Sequence, residues 1–422
     1  MRDYSLVIFG ATGFTGQYVV EEVARIAEEE KITWAIAGRN AEKLTTLLQN
    51  VEKTTGNSLK DVGIIKAEVS DSNSLCEMAK KGKIVLNCVG PYRFYGEAVV
   101  KACVEHATSY VDISGEPQFL ERMQLEYNTA AYENQCYIVG ACGFDSIPAD
   151  MGTCLLEDKF GGQVNSIETF LNIRSKKRAH GHFPTWQSAI YGFAYANELK
   201  PLRKKLFPER LPELKPKLKS RGILHHNPLV GSWCLPFPGS DRSVVMRSQR
   251  YFYAKESKRP VQMSAYVQCS SLTGAILMVL MGVTFGLLAS FKFGRSLLEK
   301  YPKVFSFGTF DHDGPTKEEL DETSFVLTLA GKGWDEKLAE PSDTYSKDPE
   351  KELVVRVSGP EPGYVATPIF MVQAALVLLC ETDKLPAKGG VFPPGAAFAK
   401  TSLIERLIKR GITFETGLKT TR

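Results

Sequence analysis

The sequence predicts an α/β fold: a doubly wound parallel sheet, then a second α+β unit with a mixed or antiparallel sheet. Three observations predict it. Glycines recur as G-x-x-G-x-x-G from Gly10 to Gly16, between an apolar run and an amphipathic stretch. Strand-like and helix-like periods then alternate with little slack as far as Gly140. After Gly143 the rhythm breaks into longer strand-like segments with long connections. Strands alternating with helices of about 10–15 residues build parallel sheets with helices on both faces.

The elements follow in order. Tyr4–Phe9 is a buried strand, Gly10–Gly16 a turn, and Phe14 to Glu29 a helix with Val19, Val20, Val23 and Ala24 on one face. Ile32–Ala37 is the second strand, and Asn40 caps a helix carrying Leu44, Leu47 and Leu48. Val62–Val69, Ile84–Val89, Tyr110–Ile113 and Tyr137–Gly140 read as further strands, with helices over Asp71–Lys80, Glu97–His106 and Pro117–Gln135 between them. Beyond these, Ser166–Ile173, Val261–Cys269, Ser324–Leu329 and Leu353–Val357 read as strands of the second unit. Lys200–Gly239, rich in Lys, Arg and Pro, reads as an irregular insertion, and Asp335–Glu352 as a polar loop. Ala366–Glu381 is an apolar helix placed to return onto the first unit. The expected division is 1–145 for the nucleotide-binding domain, 146–360 for the second domain and 361–422 for a returning tail.

Bulk properties narrow the function. At 422 residues the chain is long enough for about two domains of 100–200 residues. With 52 basic and 48 acidic side chains the net charge is only +4, which argues against a nucleic-acid partner. The nine cysteines are scattered and form no Cys-x-x-Cys pair, and no secretory signal precedes the first strand; free thiols then point to the cytosolic side. His180, His182, His225 and His226 read as solvated loop residues, and no metal is expected.

The glycine turn carries the chemistry. Gly10, Ala11, Thr12, Gly13, Phe14, Thr15 and Gly16 would hold a dinucleotide pyrophosphate. Gly10 permits the tight turn, Gly13 leaves the backbone bare for the phosphates, and Gly16 lets the helix lie close to the sheet. The helix start adds free N–H groups and a partial positive charge. At the end of the second strand, NAD sites place an acid for the ribose 2′-hydroxyl. Here Arg39 stands after Gly38, with Lys43 one turn on, which favours the 2′-phosphate of NADP over NAD.

Other strand ends face the same cleft. Val89, Gly90 and Pro91 after the fourth strand would shape the backbone under the nicotinamide ribose, and Tyr92 or Tyr95 would line the pocket, act as an acid, or anchor a domain contact. Asp112, Glu116 and Asp145 are candidate polar groups, with helix capping as their alternative role. Tyr92 and Asp145 are the candidates for catalysis. Tyr251 and Lys255 have the Tyr-x-x-x-Lys spacing of a proton relay but fall too late in the chain, and Cys88, Cys142 and Cys154 lack a His base.

Together, Phe9–Gly16, Ala37–Arg39, Asn87–Gly96, Tyr110–Glu116 and Gly143–Asp150 resemble the saccharopine dehydrogenase-like oxidoreductases, animal proteins similar to bacterial trans-acting enoyl reductases. The likeness runs on through Thr185–Trp186, Gly359–Glu361 and Gly389–Phe398. It implies NAD(P) binding, an oxidoreductase activity and, in animals, lipid-droplet association. It does not imply saccharopine as substrate.

Leu272–Phe291 carries no charge and is followed by Lys292 and Arg295. About 20 apolar residues suffice to cross a bilayer. A single crossing would, however, separate flanking strands that should share a sheet. The segment therefore either dips into a lipid surface or is a buried core helix. The expected protein is an NADP-dependent oxidoreductase with a lipid-like substrate, at lipid droplets or the cytosolic face of membranes, and a homo-oligomer is open. A nucleotide-binding scaffold of lipid droplets and an amino-acid dehydrogenase are the alternatives.

Overall fold

The computed structural model describes residues 2–176 and 180–417. Its first sheet has seven strands, all parallel. Six come early: β1 (Tyr4–Phe9), β2 (Trp34–Gly38), β3 (Gly63–Lys66), β4 (Gly82–Asn87), β5 (Ser109–Asp112) and β6 (Tyr137–Val139). Their order is 6-5-4-1-2-3, and the late strand Gly390–Phe392 pairs with β6 at the edge. The direction of strand order reverses between β1 and β4, so the two loops leaving those strands diverge and leave a crevice at their carboxyl ends.

Local sequence explains most elements. Phe14–Ile26 is helical because Val19, Val20, Val23 and Ala24 fall on the face that meets the sheet, with Glu21 outside. Asn40 accepts the Lys43 amide at 2.9 Å and starts the helix Ala41–Thr55, which ends at Gly56 in the left-handed region. Asp71 caps Ser72–Lys81 in the same way.

The helix Tyr92–Glu105 begins five residues before the expected Glu97. Its start has no local cap. Glu116, brought in from the loop after β5, accepts the Tyr92 and Arg93 amides at 2.9 Å each. A tertiary cap of this kind leaves no local trace in sequence.

The second sheet also has seven strands, in the order Thr413–Thr416, Lys351–Pro360, Thr323–Trp334, Gln163–Ser175, Gln262–Cys269, Ser232–Pro236, His225–Asn227. It is mixed: Gln163–Ser175 runs parallel to Gln262–Cys269 and antiparallel to Thr323–Trp334. The stretch expected to be irregular, Lys200–Gly239, instead supplies the last two strands at one edge of the sheet, because Trp233–Pro236 pair with Tyr266–Cys269 and Ser232–Cys234 with His225–Asn227. His225 and His226 thus lie on a strand rather than in a solvated loop, and His225 packs edge-on against Tyr266 at 4.8 Å.

The two sheets share one apolar cluster, from Leu6 and Ile8 through Phe370 to Phe325 and Leu327. The helix Thr367–Cys380 is buried along nearly its whole length and packs on the first sheet and on Phe14–Ile26. The helix Leu272–Ala289 does the reverse. It has mean hydropathy 2.2 but only 17% of it is buried. Leu277, Leu280 and Leu287 are 57–65% exposed. The reading of this segment as a buried core helix is therefore corrected: its turns look outward. The strands before and after it, Gln262–Cys269 and Thr323–Trp334, both flank Gln163–Ser175 in one sheet, so one membrane crossing between them is excluded by connectivity.

Candidate functional site: the dinucleotide crevice

Phe9 ends β1 beside Ala37 of β2, and the chain turns off β1 through Gly10 at φ +81°. That sign favours glycine. A Cβ at Gly10 would stand 2.6 Å from Val89 Cγ2, and a Cβ at Gly16 would collide with the Gly10 carbonyl. The glycines therefore allow the turn, the loop after β4 and the helix to approach each other closely. Gly13 donates to Gly10 O at 2.9 Å and is the N-cap of the helix, with no side-chain cap and no acid in the first turn. Thr12 and Gly13 are exposed. A helix start without a cap leaves amide donors for an anion. The residues present thus fit a dinucleotide pyrophosphate: Thr12 and Gly13 expose backbone at an uncapped helix start.

The remaining sequence candidates divide. Ala11 is buried under the turn. The Phe14 side chain is stacked on His182 at 4.4 Å and meets Tyr364 edge-on at 4.8 Å, so it holds the second unit rather than the cleft. Arg39 is exposed at the end of β2 and has no ion-pair partner among the described residues. Val89 donates its amide to Asn87 Oδ1 at 3.0 Å, and Gly90–Pro91 follows as a cis peptide.

Tyr92 is buried. Its hydroxyl donates to Asn87 O at 2.8 Å and lies 3.4 Å from the Ile113 amide. Burial holds this phenol well above its ordinary range. It ties the β4 loop to the β5 loop and keeps its proton.

Asp112 and Glu116 are committed to neighbouring loops. Asp112 accepts the Ser114 and Ala141 amides at 2.9 and 2.8 Å and the Tyr110 hydroxyl at 2.9 Å, while burial lifts its carboxyl to about 6. Glu116 also accepts from Ser188 at 3.0 Å. Burial pushes the Cys88 thiol up to about 12, far from a reactive thiolate.

Asp145, in the loop after β6, is set differently. Its carboxyl is hemmed by two glycines: a Cβ at Gly115 would come within 2.6 Å of Oδ2, and one at Gly239 would collide with Oδ1. Among the described residues, the carboxyl's only hydrogen bonds come from Ser240, through the amide at 3.4 Å and the hydroxyl at 3.2 Å. Burial raises its carboxyl to about 6. Asp241, next in the chain after Ser240, is 4% exposed, and its Oδ1 has no hydrogen-bond partner among the described residues. Desolvation first, and then the Asp145 charge, keeps Asp241 protonated well above the usual range. Sequence reasoning missed Ser240 and Asp241. Pro238-Gly239-Ser240-Asp241 reads only as a turn into a helix, and nothing in it points 95 residues back to Asp145.

His180 lies between Asp311 at 3.1 Å and Glu319 at 3.3 Å, and His182 bears on Phe14. Tyr251 and Lys255 sit on the helix Asp241–Glu256, and Tyr251 packs edge-on against Phe392.

Two outcomes follow. Gly16→Ala should cut NADPH affinity by at least about tenfold by calorimetry, since ~1.4 kcal/mol is tenfold, with the far-UV spectrum unchanged; undiminished affinity would contradict the turn geometry. Asp145 sits above its unfolded value of about 3.9, so the stability it contributes is full below that value and is lost as pH rises through about 6. Asp145→Asn should therefore flatten the dependence of the urea midpoint on pH between these values, and a slope equal to that of the wild type would count against it.

Residues 6–139 match the family model of the saccharopine dehydrogenase NADP binding domain. Among curated proteins, the human saccharopine dehydrogenase-like oxidoreductase is 46% identical over 98% of this chain and 97% of its own length. A Caenorhabditis elegans protein named lipid droplet localized protein is 37% identical over 98% of each. Among solved structures, the apo saccharopine dehydrogenase (L-Glu forming) of Saccharomyces cerevisiae superposes with a TM-score of 0.53 at 14% identity, covering 98% of this chain and 100% of that one. That last likeness concerns the fold. Matched nearly end to end by these relatives and over residues 6–139 by an NADP-binding domain, this chain belongs to the saccharopine dehydrogenase-like oxidoreductases.

Proposed function

We propose that this NADP-dependent oxidoreductase works at a lipid surface, on a lipid-like, apolar substrate. The observation that carries the reading is the outward-facing helix Leu272–Ala289, 18 uncharged residues with 17% burial. Exposing several leucines to water costs about 1.5–3 kcal/mol for each that could be buried. A hydrocarbon phase removes that cost. The segment beyond it alternates exposed Phe291, Phe293, Tyr301 and Val304 with Lys292, Arg295, Lys300 and Lys303, a pattern suited to headgroups. Because both flanking strands share a sheet, the helix lies in one leaflet without crossing, as a droplet monolayer requires. The printed name of the worm relative supports the same location.

In this reading the nicotinamide supplies the hydride chemistry. The chain's residues do the rest. Gly10–Gly16 hold the pyrophosphate, Arg39 pairs with the 2′-phosphate, and Val89–Pro91 shape the floor beneath the nicotinamide ribose. Asp145, poised near neutrality beside Ser240, is the group placed to exchange a proton with substrate.

A second reading is a nucleotide-binding lipid-droplet scaffold with little turnover. It is favoured by the Tyr92 hydroxyl being spent on backbone.

Arg39→Ala should weaken NADPH binding about 10–100-fold, the worth of a charged hydrogen-bonded contact, and leave NADH binding nearly unchanged; equal losses for the two would refute the role of Arg39. NADPH consumption should appear with lipid enones or fatty aldehydes and not with saccharopine. No turnover on any lipid, with tight NADPH binding, would instead select the scaffold. Replacing Leu277, Leu280 and Leu287 by Glu should abolish flotation with artificial droplets, and a variant that still floats would end the lipid-surface reading.

A further inference from the structure

The apolar helix Leu272–Ala289 is charged at one end only. Gln268–Ser271, ahead of it, carry no charge, whereas Ser290–Phe310, behind it, hold Lys292, Arg295, Lys300 and Lys303 against a single acid, Glu299. That acid is occupied, since it accepts from Gln187 at 3.1 Å. One of the cations is occupied too: Arg295 donates to the Ala289 carbonyl at 3.0 Å and so serves the end of the helix. Lys292 and Lys300 are exposed and have no carboxylate partner among the described residues. The Lys303 side chain is 75% exposed and lies 4.0 Å from Asp311. Asp311 in turn accepts the Asp313 and Gly314 amides and faces His180.

The free lysines stand beside exposed apolar side chains. Lys292, Phe293, Ser296 and Lys300 fall on the outward side of the helix Lys292–Lys300, opposite the buried Gly294 and Leu298. Phe293 is 70% exposed, and in the turns that follow Val304 is 66% and Phe307 59% exposed. A cationic face that met water alone would not also present large apolar groups. Lysines interleaved with such groups suit the boundary where acyl chains give way to headgroups, with the rings in hydrocarbon and the ammonium groups at the phosphates.

We infer that Lys292, Lys300 and Lys303 engage the headgroups of anionic glycerophospholipids, so that the outward helix docks by preference on a negatively charged lipid surface. The inference rests on the lipid-surface reading and names the headgroup that surface carries. The occupant is a lipid because the lysines follow directly on an uncharged, outward-facing helix of 18 residues. It is anionic by charge complementarity, since the cations outnumber the acid and the acid is already bonded. Apolar burial and attraction to anionic lipid add in an interfacial element. Each lysine at such a surface strengthens binding roughly fivefold.

The test is flotation of the full chain with triacylglycerol droplets coated either with phosphatidylcholine alone or with phosphatidylcholine and phosphatidylserine. The wild type should bind the phosphatidylserine droplets at least about tenfold more tightly, and the difference should vanish near ~1 M salt, where the screening length falls to about 3 Å. The triple variant Lys292→Gln, Lys300→Gln, Lys303→Gln should bind both coats alike, at the wild-type level for phosphatidylcholine, while Lys→Arg at the same three positions should keep the preference. Equal wild-type binding to the two coats, or a preference that survives in the Gln variant, overturns the inference and leaves the lipid-surface reading standing. No binding of the wild type to either coat overturns that reading itself. Sedimentation without lipid completes the test: a wild-type oligomer that the Gln variant dissociates makes the lysine face a subunit contact and overturns the inference, and an unchanged mass supports it.

Discussion

The helix start at Gly13 is uncapped, and much of the molecule is arranged around keeping it so. Its first amides have no side-chain acceptor, and the first turn holds no acid. In water such donors are solvated, and in a crevice they are a standing demand for an anion. Meeting that demand with a phosphate requires bare backbone on every side. Gly10, Gly13 and Gly16 supply it, and the Val89 side chain fills the space where a Gly10 Cβ would have been. The close approach of helix, turn and β4 loop is thus one constraint expressed at three residues.

Around that constraint, buried carboxylates hold the loops at the carboxyl ends of the strands. Asp112 gathers two amides and a phenol, and Glu116 caps a distant helix. A buried carboxylate is costly unless its hydrogen bonds are satisfied, and both are densely satisfied. They act as fasteners. Asp145 contrasts with them. It has one serine for a partner, glycines pressed against it and a second buried acid nearby. Its few hydrogen bonds and the glycines pressed against it separate it from the structural acids.

The second unit does two jobs through separate faces. One face closes the core with the first sheet through Phe325 and Phe370. Another carries an apolar helix outward, tied through Trp186 on the helix Phe183–Ala194, whose Ser188 donates to Glu116. His182 and Tyr364 brace the phosphate turn through Phe14. Cofactor turn and apolar surface are therefore parts of one packed body.

The sequence by itself determined the parallel sheet and the glycine turn from Gly10 to Gly16, because each rests on local periodicity or on glycine at fixed spacing. The apolar character of Leu272–Ala289 was equally legible, since composition is local. Tertiary structure decided what no window of residues holds. It decided that Glu116 caps Tyr92–Glu105, that Lys200–Gly239 supplies edge strands, that Ser240 and Asp241 meet Asp145, and that Leu272–Ala289 faces outward while Thr367–Cys380, nearly as apolar, is buried. The physical reason is the same in each case. Burial and long-range hydrogen bonding are properties of neighbours in space, and two helices of similar hydropathy are told apart by what packs against them.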